Sequence, residues 1–410
     1  MILNSLALPD TSNQQYFRRE SNIRESSNYS LSRKLSMQFR HALDCSTTVR
    51  FTMDMRSIQV ELQSFGLRLP PYFPARNGGA GPAEGCTIRM AGRALTVPTQ
   101  SHYVGSSPYS LQTQAGGAVV CREGVAIAEV EIPVRPHFYD ETTPQGESFS
   151  SIALLHGADC LASTVYQNCV YWETQQACKF CGIGLSFDRG ATVLEKDPDM
   201  LGSVAVQAAA RDGVRHVTLT TGMHSDESYT VGHLARCAQS ITAGSGLPVH
   251  VQLMPPKDLS LLDELKQAGV ATIGFHLETG DPGILESIAP AKSRCGIQRF
   301  MDAFMYGVEL FGSNQVSSFI IVGLGEDADS IVRIAEKLCR LGVFPYVLPL
   351  RPIPGTPLSS LWPPDHRQMI AIYKRIAELL HDYGLSSAAS KAGCVRCGAC
   401  SCMCLFEKET

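Results

Sequence analysis

Two hydrophobic periods alternate along residues 160–385. Short β-branched runs at Ser163–Gln167, His216–Thr220, Val249–Leu253, Thr272–His276, Val316–Val322 and Tyr346–Leu350 read as strands. Between them lie helical patterns, among them Val204–Ala210, Leu259–Ala268, Ile297–Phe311 and Ser330–Leu341, and a last one, Asp365–Tyr383, follows the sixth strand. Such alternation predicts right-handed βαβ units on a parallel sheet. Six units fall short of the eight that close a barrel. The expected fold is therefore α/β, a partial (β/α)6 TIM-like barrel, with a flat doubly wound sheet as the competing layout. Upstream, Thr87–Met90 and Val125–Val134 alternate with period two among Gly and Pro, which suggests a small β-rich or mixed domain. The expected division is a disordered, Ser-, Asn- and Arg-rich arm (1–52), the β-rich domain (53–150), the barrel (151–386) and a Cys-rich tail (387–410).

Composition narrows the function. Apolar residues make up 44% and charged residues 18%, as in a protein with a large interior. A net charge of −4 gives no basis for a nucleic-acid partner. No apolar run is long enough to span a bilayer, and the N-terminus lacks the pattern of a signal peptide. The expectation is a cytoplasmic protein with no membrane partner. Gly78-Gly79-Ala80-Gly81 lacks the Lys-Ser/Thr ending of a phosphate loop and reads as a plain loop.

The chain has 15 cysteines, which in a reducing compartment point to metal ligation rather than disulfides. Eight cluster: Cys169, Cys178 and Cys181, then Cys394, Cys397, Cys400, Cys402 and Cys404. The others, Cys160 included, read as small buried apolar residues. Zinc would want four converging ligands. Three soft thiolates instead suit a [4Fe–4S] cluster with one open iron, and S-adenosylmethionine (SAM) chelates such an iron through its amino and carboxylate groups. A non-catalytic iron–sulfur electron carrier and a zinc protein are the alternatives.

Cys178-Lys179-Phe180-Cys181-Gly182, Glu278 after the fourth strand, Ile320–Glu326 and Pro352–Leu358 together resemble the radical SAM superfamily over about residues 160–385. Within it the chain is most similar to the lipoyl and biotin synthase branch, and closer still to a bacterial radical SAM family encoded beside a nitrilase. The resemblance implies reductive cleavage of SAM to a 5′-deoxyadenosyl radical, hydrogen abstraction from a small-molecule substrate, and a flavodoxin or ferredoxin-type electron donor. It places Thr221, Gly222 and Met223 along the amino-acid part of SAM, Glu278 on its ribose or ammonium, and Gly323 and Gly325 against the adenine. Arg294 and Lys292 are candidates for the SAM carboxylate, and Arg351 for a substrate anchor.

The spacing departs from the usual Cys-x3-Cys-x2-Cys. Thr174 stands four residues before Cys178, so Cys169 is taken as the first ligand, with Cys160 as its rival. His156, Asp159, Tyr166, Trp172 and Glu173 flank this loop as further pocket candidates. In the tail, Cys394-x2-Cys397-x2-Cys400-x3-Cys404 has bacterial ferredoxin spacing and predicts a second iron–sulfur cluster. Cys402 and Cys404 compete for its fourth position. Because this tail lies outside the barrel in sequence, unlike the extra cysteines of biotin synthase, sulfur insertion is not expected.

Overall fold

The computed structural model describes residues 54–73, 85–114 and 117–407. The predicted arm, the loop at Gly78–Gly81 and residues 408–410 lie outside the described residues. No helix among those described is long and apolar enough to cross a membrane.

The N-terminal segment begins with a helix, Met55–Phe65, capped by the Asp54 carboxylate on the Arg56 amide. Strands β1 (Cys86–Met90) and β2 (Arg93–Val97) form an antiparallel hairpin, and β3 (Tyr109–Gln114), β4 (Gly117–Arg122) and β5 (Val125–Val130) a three-stranded antiparallel sheet.

The remaining strands are β6 (Leu154–His156), β7 (Cys160–Thr164), β8 (His216–Thr220), β9 (Val249–Gln252), β10 (Val270–Gly274), β11 (Val316–Val322) and β12 (Val343–Pro349). They form one sheet in the order β12-β11-β10-β9-β8-β7-β6, parallel throughout except for β6, which runs antiparallel to β7. Side chains alternate across it. Val217 and Leu219 belong to the buried apolar core, whereas Thr218 and Thr220 line a central cavity. Ala162 and Thr164 of β7, Phe319 and Ile321 of β11 and Leu348 of β12 line the same cavity. The sheet is thus curled around a lumen, as the half-barrel expectation requires. A doubly wound sheet would instead cover both faces with helices.

Helices Pro198–Asp212, Glu227–Ser245, Ile297–Phe311, Ala328–Arg340 and His366–Asp382 alternate with the strands. Aspartates at 197, 226, 327 and 365 cap four of them, each accepting from amides of the first turn. The 19-residue helix Glu227–Ser245 is missing from the segments named by periodicity. Thr230, His233 and Cys237 stand on its buried side, so its apolar stripe is faint. Three strand boundaries also shift. Val165–Gln167 leave the sheet edge to bond Thr220, Leu194 and the Lys196 amide, so β7 starts and ends three residues early. The fourth strand sits two residues early. The sixth begins at Val343, ahead of Pro345, a residue that an edge strand such as β12 tolerates.

Candidate active site

The cavity, about 440 Å³ in volume, is lined by Cys169, Cys178 and Cys181 at the C-terminal ends of the strands. Each is placed by backbone bonds to a different element. The loop after β7 is zipped to the end of β8: the Gly222 amide donates to the Tyr166 carbonyl (2.9 Å) and the Val170 amide to the Met223 carbonyl (2.8 Å). This double bond holds Cys169 although eight residues separate it from Cys178. The Cys178–Cys181 turn is clamped on two sides, Lys179 donating to the Ile288 carbonyl (2.8 Å) and accepting from the Leu358 amide (3.3 Å). Burial pushes the Cys178 thiol up to about 11 and the Cys181 thiol up to about 12.

Gly222 is required by this arrangement. A Cβ there would fall 1.6 Å from the Asn168 carbonyl oxygen, on the residue before Cys169. Gly222→Ala is expected to displace the Cys169 loop and lower the iron bound by the anaerobically reconstituted protein. Retention of full iron content would show that the zip does not position the ligand.

Thr221, Gly222 and Met223 line the cavity as expected. Glu278 does too, buried to 4% exposure, in a left-handed conformation (φ 73°) that a non-glycine residue adopts at a cost. Its amide and carbonyl bond Phe319 and Ile321 of β11, which holds the backbone there. One carboxylate oxygen pairs with Lys292 at 2.6 Å, while the other is buried without a hydrogen-bond partner among the described residues. Burial alone would depress the lysine, but the Glu278 carboxylate beside it outweighs this and holds Lys292 above its ordinary value. The His276 ring stacks on Phe319 with centroids 3.7 Å apart. Its Nδ1 accepts from the Phe319 amide, which leaves the proton on Nε2, a buried donor with no partner. Burial and the neighbouring Lys292 keep this imidazole neutral. Arg351 lines the cavity and donates to the Thr96 carbonyl.

Other expected residues lie elsewhere. Arg294 is exposed and outside the lining, because the short helix Pro290–Cys295 turns Lys292, not Arg294, inward. Gly323 and Gly325 have φ of 107° and 121° and are also outside the lining. Their missing Cβ atoms make room for Leu350 and Pro364, and for Ile284, rather than for the lumen.

The tail departs furthest from expectation. Cys394, Cys397 and Cys400 line the same cavity as the first three cysteines, so the tail is folded into the barrel. It enters across the strands' N-terminal ends: the Gly393 amide donates to His216 of β8 and the Ala392 carbonyl accepts from Thr272 of β10. Thr96 then bonds the Ala399 carbonyl, and Ser401 the Val347 carbonyl of β12. Cys404 lies outside the lining, its sulfur accepting from Arg93 at 2.8 Å, and Cys402 is buried in the apolar core. Sequence reading missed this placement because sulfur spacing carries no information about where a tail docks. Among the described residues no three His, Cys, Asp or Glu side chains are gathered closely enough to hold a single metal ion. The donor set nonetheless fits a cluster: three soft thiols lining one cavity with the polar Glu278 and His276.

Residues 175–338 match the family model described as Radical SAM superfamily. The bacteriochlorophyllide c C-7(1)-hydroxylase of Chlorobaculum limnaeum is 27% identical over 139 residues, which cover 33% of this chain and 34% of that protein. Among solved structures, a radical SAM methyltransferase from Sphaerobacter thermophilus is 16% identical with a TM-score of 0.42, covering 68% of this chain and 75% of that one. The FeFe-hydrogenase maturase of Carboxydothermus hydrogenoformans gives 16% and 0.40, covering 54% and 50%. The curated relative is thus matched over about a third of its length. The matched segment, which carries Cys178, Cys181, Thr221–Met223, Glu278 and Lys292, is similar to the radical SAM superfamily.

Proposed function

We propose that the enzyme generates a 5′-deoxyadenosyl radical at a [4Fe–4S] cluster held by Cys169, Cys178 and Cys181 and uses it to abstract hydrogen from a small molecule bound in the lumen. Similarity to the superfamily implies the cluster and SAM. When bound, they supply reductive cleavage of the sulfonium–C5′ bond. The observation that supports the reading is that the three cysteines line one cavity together with the half-satisfied Glu278.

In this reading the chain's own groups bind, orient and exclude water. Carbonyls of Thr221–Met223 are aligned by their zip to the cluster loop and accept from the SAM ammonium. The free oxygen of Glu278 takes a ribose hydroxyl or that ammonium, while Lys292 fixes its orientation. Neutral His276 offers a single N–H donor, and its burial keeps it from becoming a competing cation. Phe319, Ile321 and Leu348 give the lumen an apolar wall that keeps water from a reactive carbon radical. A flavodoxin or ferredoxin-type protein is the proposed electron donor, and a second iron–sulfur cluster in the tail the proposed auxiliary centre.

Anaerobic reconstitution followed by SAM and dithionite tests this. Release of 5′-deoxyadenosine and methionine is expected. Its absence from protein of confirmed iron and sulfide content would remove the proposal.

A further inference from the structure

We infer that Cys160, the first residue of β7, completes the tail's iron–sulfur site, which is built from Cys160, Cys394, Cys397 and Cys400 and forms part of the wall of the substrate cavity. The inference rests on the reading of the tail as a second cluster and assigns its fourth ligand and its surroundings.

Four observations carry it. Cys160 lines the cavity together with the three tail cysteines, while Cys402 and Cys404, the spacing's own candidates, do not. The Cys160 and Cys397 sulfurs are close enough to act on each other electrostatically. Space for the Cys397 sulfur is made by Gly157, where a Cβ would lie 2.6 Å from it. Finally, Tyr346 is buried to 3% exposure and its hydroxyl has no hydrogen-bond partner among the described residues. The sulfurs of Cys400, Cys394, Cys397 and Cys404 lie within electrostatic reach of it. An orphaned hydroxyl at that spot is satisfied by a group that accepts hydrogen bonds, as the sulfides and thiolates of a cluster do.

The sulfur chemistry agrees. In a bacterial ferredoxin run, three closely spaced cysteines serve one cluster and the last serves another, so the fourth ligand comes from a distant part of the chain. Here the distant part is a barrel strand. The Gln252 side-chain amide donates to the Cys394 sulfur and the His156 Nε2 lies against the Cys400 sulfur, both at 3.2 Å, and polar groups so placed tune a cluster's thiolates. With four thiolates the cluster has no open iron, so it is not a place where substrate is ligated.

The test uses the full chain carrying Cys169→Ala, Cys178→Ala and Cys181→Ala together, which removes the SAM site and leaves the tail site alone. After anaerobic reconstitution with ferrous iron and sulfide, about four irons per chain are expected, with a dithionite-reduced EPR signal. Adding Cys160→Ala is expected to lose that iron and signal. Adding Cys402→Ala or Cys404→Ala is expected to keep both. Cys160→Ser, near-isosteric and able to keep the contact with Thr218, guards against misfolding and is expected to shift or abolish the EPR signal. The inference is overturned if Cys160→Ala retains full iron, if Cys160→Ser leaves the signal unchanged, or if Cys404→Ala removes the iron. A triple variant that binds no iron would overturn the second site as a whole. None of these outcomes depends on SAM cleavage by the native protein.

Discussion

Replacing Cys181 with alanine is expected to take SAM cleavage down to the uncatalysed background, and Cys178→Ala and Cys169→Ala are expected to do the same. The effect is all-or-none for a physical reason. In the proposed site three thiolates hold a cluster with one open iron, and losing a thiolate either loses the cluster or opens a second iron to solvent. Cys169 is the informative member, since it lies outside the matched segment 175–338 and across an unusual gap. Its position depends on the Gly222–Tyr166 and Val170–Met223 bonds rather than on a short loop. The measurement is 5′-deoxyadenosine released per chain under dithionite, beside iron and sulfide analysis. A Cys169→Ala protein with full cluster and full release would show that the first ligand has been misassigned.

The largest effect on stability is expected at Lys292. Its side chain is 14% exposed and that of Glu278 6%, and the two are in contact at 2.6 Å. Lys292→Met leaves a carboxylate buried and uncompensated, which typically costs about 3–5 kcal/mol. Glu278 also sits in a left-handed conformation held by β11, so it cannot swing out to water without breaking two backbone bonds. The double variant Lys292→Met/Glu278→Gln is expected to recover most of the loss, because no unpaired charge remains. Urea unfolding of the three proteins tests this. Equal midpoints for the single and double variants would mean that the pair is not coupled. SAM affinity separates the two roles: the double variant is expected to fold well and still bind SAM poorly.

How much of this was legible in the sequence depended on whether the signal was local. β8 and β11 fall on their predicted bounds, because Val, Ile and Thr in a short run between turns have few other options. The Cys178–Cys181 turn, the Thr221–Met223 strip and Glu278 were legible as strand-end features, and all reach the cavity. What was not legible is set by contacts distant in sequence. Nothing local distinguishes Lys292 from Arg294, since one turn of a short helix decides which faces inward. Gly323 and Gly325 read as backbone for a ligand but make room for Leu350, Pro364 and Ile284. Cys160 read as a buried thiol or as the rival of Cys169, not as a partner of the tail, because its neighbour Cys397 is more than two hundred residues away.

The docked tail also bears on how the molecule is made. Ala399 accepts hydrogen bonds from Thr96 and, across 336 residues of chain, from Gln63. Closing a loop of that length is entropically costly and belongs to the last stage of folding. The parallel sheet can therefore form while residues 392–402 are still being synthesised, with its lower end open. During that interval the lumen has two openings, and iron, sulfide or a maturation protein can reach it from below. Once the tail seats against His216, Thr272 and Val347 it covers strand residues that were open before, so the barrel is exposed to solvent there until the chain reaches residue 401.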